Sequence, residues 1–174
     1  GIENHLEYLE NEIERIDSEI KRKIDDDSDL KKQRKLLDTV PGLGLKTIPV
    51  LLSFFFVTLR FGNARQAAAY AGLDPSLHDS GDTIHKRKRI SKRGSPVLRH
   101  ALYLAAFVVC GKHQYFHRIY HKHRRRGKSH RYALVVVARR LARVIWRILT
   151  DGRPFKKRPP QKTPPSDNPR RKTK

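Results

Sequence analysis

Val40-Pro41-Gly42-Leu43-Gly44-Leu45-Lys46-Thr47 lies between two stretches of helical periodicity, Leu30 to Thr39 and Pro49 to about Leu59. Helix, apolar-Pro-Gly-apolar-Gly-x-x-Thr, helix is the pattern of a helix-hairpin-helix. Its two glycines permit a tight turn, and free N–H groups at the start of the following helix can hold a phosphate. Lys46 adds a charge, so Gly42, Gly44 and Lys46 are candidate nucleic-acid contacts. Such hairpins also serve as plain packing elements, and that alternative stays open. Pro49 is tolerated in the first turn but removes one donor there.

Upstream, Ile2, Leu6, Leu9, Ile13, Ile16, Ile20 and Ile24 recur at intervals of three or four, with Glu and Lys at many positions between them. That is the a/d seam of a coiled coil, too narrow for a globular core helix. Asp25-Asp26-Asp27-Ser28-Asp29 breaks it and offers N-caps to the helix from Leu30. An antiparallel hairpin and an intermolecular coiled coil would each satisfy the seam. A ten-residue second helix rises about 15 Å against about 34 Å for the first. It covers the seam only in part, which leads to the expectation of a homo-oligomer.

Downstream, Gly62-Asn63 restarts a helix, Ala64 to Ala71, with Gly72 as its left-handed stop. Ser95-Pro96 caps an apolar helix from Val97 to about Lys112, and a polar one follows from Gln114 to Arg126, ended by Gly127. The last helix, His130 to about Thr150, carries Leu134, Val137, Leu141, Val144, Ile145 and Ile148 on one side and Arg139, Arg140, Arg143 and Arg147 on the other. Apart from a short hairpin expected around Leu77–Ile90, no strand pattern appears, and the class is all-α. The chain divides into a coiled-coil segment (1–39), a helical domain with the helix-hairpin-helix (40–152) and a Pro/Lys/Arg-rich tail expected to be disordered (153–174).

Charge names the partner class. Residues 1–40 hold 12 acidic and 8 basic side chains, whereas residues 41–174 hold 5 and 31. So basic a domain repels itself unless a polyanion neutralises it, which points to nucleic acid. A membrane is not expected. The longest apolar runs, Ile48–Val57 and Ala101–Cys110, are about half of a bilayer span, and no signal peptide is visible. The single cysteine, Cys110, reads as a buried reduced thiol and fits a cytoplasmic setting. The lack of Met and a helical rhythm that begins at residue 2 point to a segment of a longer protein.

The chemistry is expected in Gly72 to Gly94, GLDPSLHDSGDTIHKRKRISKRG. Ser80 beside Gly81 offers a hydroxyl that a bulky phosphodiester can approach. Lys86, Arg87, Lys88, Arg89, Lys92 and Arg93 offer cations for a pentacoordinate phosphorus. A solvated turn with backbone-binding cations is the simpler reading. Three further patterns are read as incidental. His113, His117 and His121 share a helix face but lack Cys or Glu companions for a metal. His121-Lys122-His123-Arg124 with Tyr132 resembles a tyrosine-recombinase set, with Tyr132 read as packing. Asp74, Asp79 and Asp82 are read as turn residues.

Taken together, VPGLGLKTIPVLLSFF (residues 40–55), RFGNARQAAAYAGLDPSLHDSGDTIHKRKRISKRGSPVLRHALYLAA (60–106) and RGKSHRYALVVVARRLARVIWRILTDGRPF (126–155) resemble one family. It is the C-terminal transposase domain of insertion-sequence family 110, the RNA-guided "bridge" recombinases. The resemblance implies that Ser80 attacks DNA to form a phosphoserine link. It also implies DNA and a guide (bridge) RNA as partners, a coiled coil beside the domain, and a bacterial cytoplasmic, nucleoid-associated setting. It further implies an N-terminal RuvC-like domain with acidic ligands for Mg2+, which this sequence does not contain, so the isolated chain is expected to be inactive. The alternative function is a non-catalytic helix-hairpin-helix module that binds nucleic acid.

Overall fold

The computed structural model describes residues 1–58, 61–74 and 90–156. Seven helices occur among them: α1 (Ile2–Asp26), α2 (Ser28–Asp38), α3 (Thr47–Thr58), α4 (Ala64–Tyr70), α5 (Pro96–Lys112), α6 (Gln114–Arg125) and α7 (His130–Asp151). The protein is all-α. The hairpin expected around Leu77–Ile90 lies almost wholly outside the described residues.

Local chemistry sets most boundaries. The Asp27 carboxylate accepts from the amides of Asp29 and Leu30 at 2.8 and 3.0 Å, which starts α2 two residues before its first apolar residue. α3 begins at Thr47 rather than Pro49, so the proline falls inside the first turn, where its missing N–H breaks no helical bond. Asn63 caps α4, Ser95 caps α5 with Pro96 next, and Ser129 caps α7. Gly127 and Gly152 take left-handed conformations (φ 71° and 63°) just after α6 and α7.

α7 is the centre of the fold and packs on α4, α5, α6 and α2. Leu134, Val137, Leu141 and Ile145 are fully buried, each contributing about 1.5–3 kcal/mol of transfer free energy. Between them Ala133, Ala138 and Ala142 are also buried and leave room for close helix approach. α4 answers with Ala67 and Ala68, and α5 with Leu98, Leu102, Ala105, Ala106 and Val109. Val144, expected on the buried side, is half-buried. Of the basic tail, residues 153–156 are described: the Phe155 amide donates to Thr39 Oγ1 at 2.8 Å, and its ring lies 5.1 Å from His113.

α1 stands apart from this core. Ile24 alone of its seam is buried; Ile2 is 82% exposed, Ile13 51% and Ile20 36%. α2 joins it at the far end through Arg34 and Asp25, 3.0 Å apart, while Leu37 of α2 is fully buried in the main core. The outer face of α1 carries an Arg15 paired with both Glu12 and Glu19.

Candidate nucleic-acid interface

The most closely built part of the surface is the neck where residues 72–74 meet residues 90–94. α4 ends at Gly72, whose φ of 66° turns the chain; its amide donates to Ala69 O at 2.7 Å. Leu73 is buried beneath it, 2% exposed. The returning segment pairs backbone to backbone, Ser91 N to Asp74 O at 2.8 Å and Lys92 N to Gly72 O at 3.2 Å. The Ser91 hydroxyl donates to the Asp74 carboxylate at 2.5 Å. A Cβ on Gly94 would overlap Tyr70 O and stand 2.6 Å from Gly72 N, so only glycine fits. Arg99, in the first turn of α5, donates through one nitrogen to Ala71 O, Lys92 O and Gly94 O at 3.2–3.4 Å. Lys92 is the non-glycine residue with positive φ (55°) among those described, a strained conformation of the kind that gathers at functional sites.

The neck brings both ends of residues 75–89 to one place. Ser80, Lys86, Arg87, Lys88 and Arg89 themselves lie outside the described residues, as do Asp79 and Asp82. Lys92 and Arg93 lie in the neck and are exposed. Asp74, read from the sequence as a turn residue, accepts from Ser91. No group of three or more His, Cys, Asp or Glu that could hold a metal ion occurs among the described residues.

The Val40–Thr47 turn is built differently. Gly42 has φ 99°, and a Cβ there would meet Val108 Cγ1 at 3.1 Å and Val109 N at 3.2 Å, so it faces α5 rather than solvent. Gly44 is exposed, and a Cβ placed there would have nothing within 4 Å. Its carbonyl accepts from the amides of Thr47 and Ile48, both at 3.0 Å. The Lys46 side chain is 82% exposed, with Nζ 3.9 Å from Asp17 of α1. Gly42 is thus committed to packing, whereas Gly44, Leu45 and Lys46 are exposed.

The histidines are mostly structural. His113 is buried and caps α6, its Nδ1 accepting from Tyr115 N at 3.2 Å. His117 Nδ1 lies 3.2 Å from Cys110 O, and the His117 and His121 rings are 4.2 Å apart. Burial, with Arg126, Lys122 and Lys128 nearby, lowers the His123 pKa. Tyr132 is more exposed (42%) than a packing residue should be; its ring leans on His123 and lies under Lys128. Cys110 is buried, and desolvation raises its thiol pKa to about 11, so the chain's one thiol is a poor nucleophile at neutral pH.

Sequence reasoning missed Arg99, whose position four residues after the Ser95 cap hides its reach back to α4. It also missed the Asp74–Ser91 pair; the glycines at 72 and 94, bracketing the loop, were the available signal.

With this geometry in hand the chain can be placed among known proteins. Residues 34–122 match the family described as Transposase IS116/IS110/IS902, and the chain belongs to that family. The matched span runs from within α2, through the Val40–Thr47 turn and the neck, to within α6. The chain is 31% identical to the pilin gene-inverting protein of Moraxella lacunata over 157 residues, 90% of this chain and 49% of that protein. It is 34% identical over 125 residues to the uncharacterized 43.6 kDa protein of insertion element IS110 from Streptomyces coelicolor, 72% of this chain and 31% of that protein. It is also 31% identical to the transposase for insertion sequence element IS1328 of Yersinia enterocolitica, covering 90% of this chain and 46% of that protein. The chain therefore spans about half, or less, of the length of these relatives. No helix among the described residues is long and apolar enough to cross a membrane.

Proposed function

We propose that this chain is the DNA-binding C-terminal part of a transposase or site-specific recombinase that works by serine transesterification at Ser80. The observation that carries the reading is the neck: it anchors both ends of the segment that holds Ser80, Gly81 and the Lys86–Arg89 cations. Family membership supplies the reaction class. In the step itself, Ser80 Oγ forms a bond to phosphorus while one sugar-oxygen bond to phosphorus breaks. The hydroxyl proton passes to a base, and the departing sugar oxygen takes up a proton. One phosphodiester replaces another, so strands can be exchanged without a nucleotide cofactor. Lys86, Arg87, Lys88, Arg89, Lys92 and Arg93 offset the charge that builds on the phosphoryl oxygens. Gly44, Lys46 and the start of α3 act as a helix-hairpin-helix contact with the DNA backbone, with Gly42 holding the turn against α5.

Guide RNA shares the basic surface in this reading. Mg2+ belongs to an additional RuvC-like domain with its own acidic ligands, since the acids after residue 40 number only 5 and the described ones form no ligand group. The exposed Ile2–Ile20 seam of α1 pairs two chains. Light scattering on the wild type and on Ile13→Asp/Ile20→Asp should give a dimer and a monomer respectively. A wild-type monomer across the micromolar range would rule this pairing out.

The catalytic assignment is tested in the complete transposase on a suicide DNA substrate that traps the covalent intermediate. The expected result is an adduct with wild type and none with Ser80→Ala. An adduct in normal amount from Ser80→Ala removes Ser80 from the mechanism. DNA binding with no adduct from either protein leaves the non-catalytic binding module.

A further inference from the structure

The basic segment at residues 86–93 is not the only concentration of cations. On α7, Arg139, Arg140 and Arg143 are turned toward the side where α4 and α6 pack. The Arg140 Nε donates to the Tyr115 hydroxyl of α6 at 2.5 Å, and the guanidinium carbon lies 5.7 Å from the centre of that ring. Arg139 and Arg143 are half-buried, and Arg139 Nε is inaccessible to solvent with no acceptor among the described residues. Arg65, exposed at the start of α4, is close enough for its charge to act on Arg143, as are Arg139 and Arg140. Burial is the first cause, and these three cations the next, of a depressed Arg143 pKa.

No carboxylate balances the group among the described residues. Helices α4, α6 and α7 together contain a single acid, Asp151, and its Oδ2 lies 3.9 Å from Arg147 Nε at the far end of α7. The other described acid after residue 40, Asp74, is engaged by Ser91. Four guanidinium groups held together at the edge of a core, two of them partly desolvated, repel one another. Such an arrangement is stabilised by an anion that brings several oxygens. Planar guanidinium forks match phosphate oxygens two at a time, and the Tyr115 ring keeps one fork in place.

We propose that Arg65, Arg139, Arg140 and Arg143, steadied by Tyr115, form a second phosphodiester-backbone clamp, separate in sequence and in supporting helices from the loop cations at 86–93. The proposal rests on the reading that this protein binds nucleic acid, and adds a surface to it. A duplex engaged at Ser80 needs such a second hold to fix its direction, because phosphate contacts set register and orientation. The clamp spans three helices rather than a loop, so its geometry is as rigid as the core beneath it.

The test measures the salt dependence of binding for the full chain by fluorescence anisotropy, with a duplex DNA and a hairpin RNA as separate probes. Four proteins are compared: wild type, Arg65→Gln/Arg140→Gln, Arg143→Lys, and Lys86→Ala/Arg87→Ala/Lys88→Ala/Arg89→Ala. Arg65 and Arg140 are exposed, so their replacement should leave the fold intact, with thermal melting as the check. The expected result is a log–log slope shallower by about 2 units for the double variant, at about 0.9 for each phosphate that is no longer neutralised. Arg143→Lys should keep the slope within about half a unit while weakening binding about 3- to 10-fold, because charge survives and the fork does not. The probe whose slope changes identifies whether DNA or RNA sits on the clamp. An unchanged slope on both probes for the double variant, with the wild type binding normally, overturns the clamp and leaves the loop as the binding surface. If the wild type binds neither probe, the nucleic-acid reading fails and takes the clamp with it.

Discussion

The protein has two glycine-built corners with cations beside them, and they are made for different ends. At Val40–Thr47 one glycine turns inward: Gly42 lies against Val108 and Val109, while Gly44 meets nothing. The corner joins α2 to α3 and rests on α5, while α2 itself packs on α7. At the neck the two glycines face each other, Gly94 against Tyr70 O and Gly72 N, and Arg99 laces three carbonyls over them. That corner joins no two consecutive helices directly. It ties residues 72–74 to residues 90–94 through their backbones, and a side-chain pair, Asp74 with Ser91, adds a second tie. A turn needed only for packing has no use for such a closure. In the proposed reaction a tie between residues 72–74 and 90–94 would limit misplacement of the nucleophile, since small misplacements of a reacting group are costly in rate.

Adding one methyl group at each glycine separates the two designs. Gly94→Ala should have the largest effect: the segment before α5 must move away from the end of α4 to make room for a Cβ that would overlap Tyr70 O, costing about 3 kcal/mol in urea denaturation. Recombination should be lost in the same variant. Gly42→Ala comes next, at about 1–2 kcal/mol, from a left-handed φ of 99° and a Cβ 3.1 Å from Val108. Catalysis should survive it wherever the protein remains folded. Gly44→Ala should shift stability by less than about 0.5 kcal/mol, since nothing lies within 4 Å of the added methyl. Any change it makes should appear in DNA affinity alone. A Gly94→Ala protein as stable and active as wild type would erase the distinction between the two corners.

Much of this architecture is legible in the sequence because its signals are local. Asp27, Asn63 and Ser95 are side-chain caps, Gly127 and Gly152 are left-handed stops, and the apolar period of α7 gives its buried face. What escapes is what depends on distance along the chain. Arg99 reaches back across 28 residues to Ala71, and Thr39 meets Phe155 across 116. No periodicity encodes either contact. The half-buried state of Arg139 and Arg143 escapes for the same reason: the helical wheel puts them opposite the apolar face, but α4 and α6 flank that side. In the Val40–Thr47 turn, the sequence pattern gives both glycines one role, and only the packing of α5 divides them. The resemblance to the insertion-sequence transposases rests on three stretches in order, and the family match over residues 34–122 bears it out.

The central claim concerns which atom attacks DNA. The most direct measurement is to trap the covalent complex on a nicked substrate, digest the protein and the DNA, and locate the residual nucleotide by mass spectrometry. The neck, the basic residues between 86 and 93 and the buried, high-pKa Cys110 together predict a nucleotide on the peptide containing Ser80 and on no other. A nucleotide on Tyr132, on Ser91 or on any residue outside 75–89 would contradict that claim.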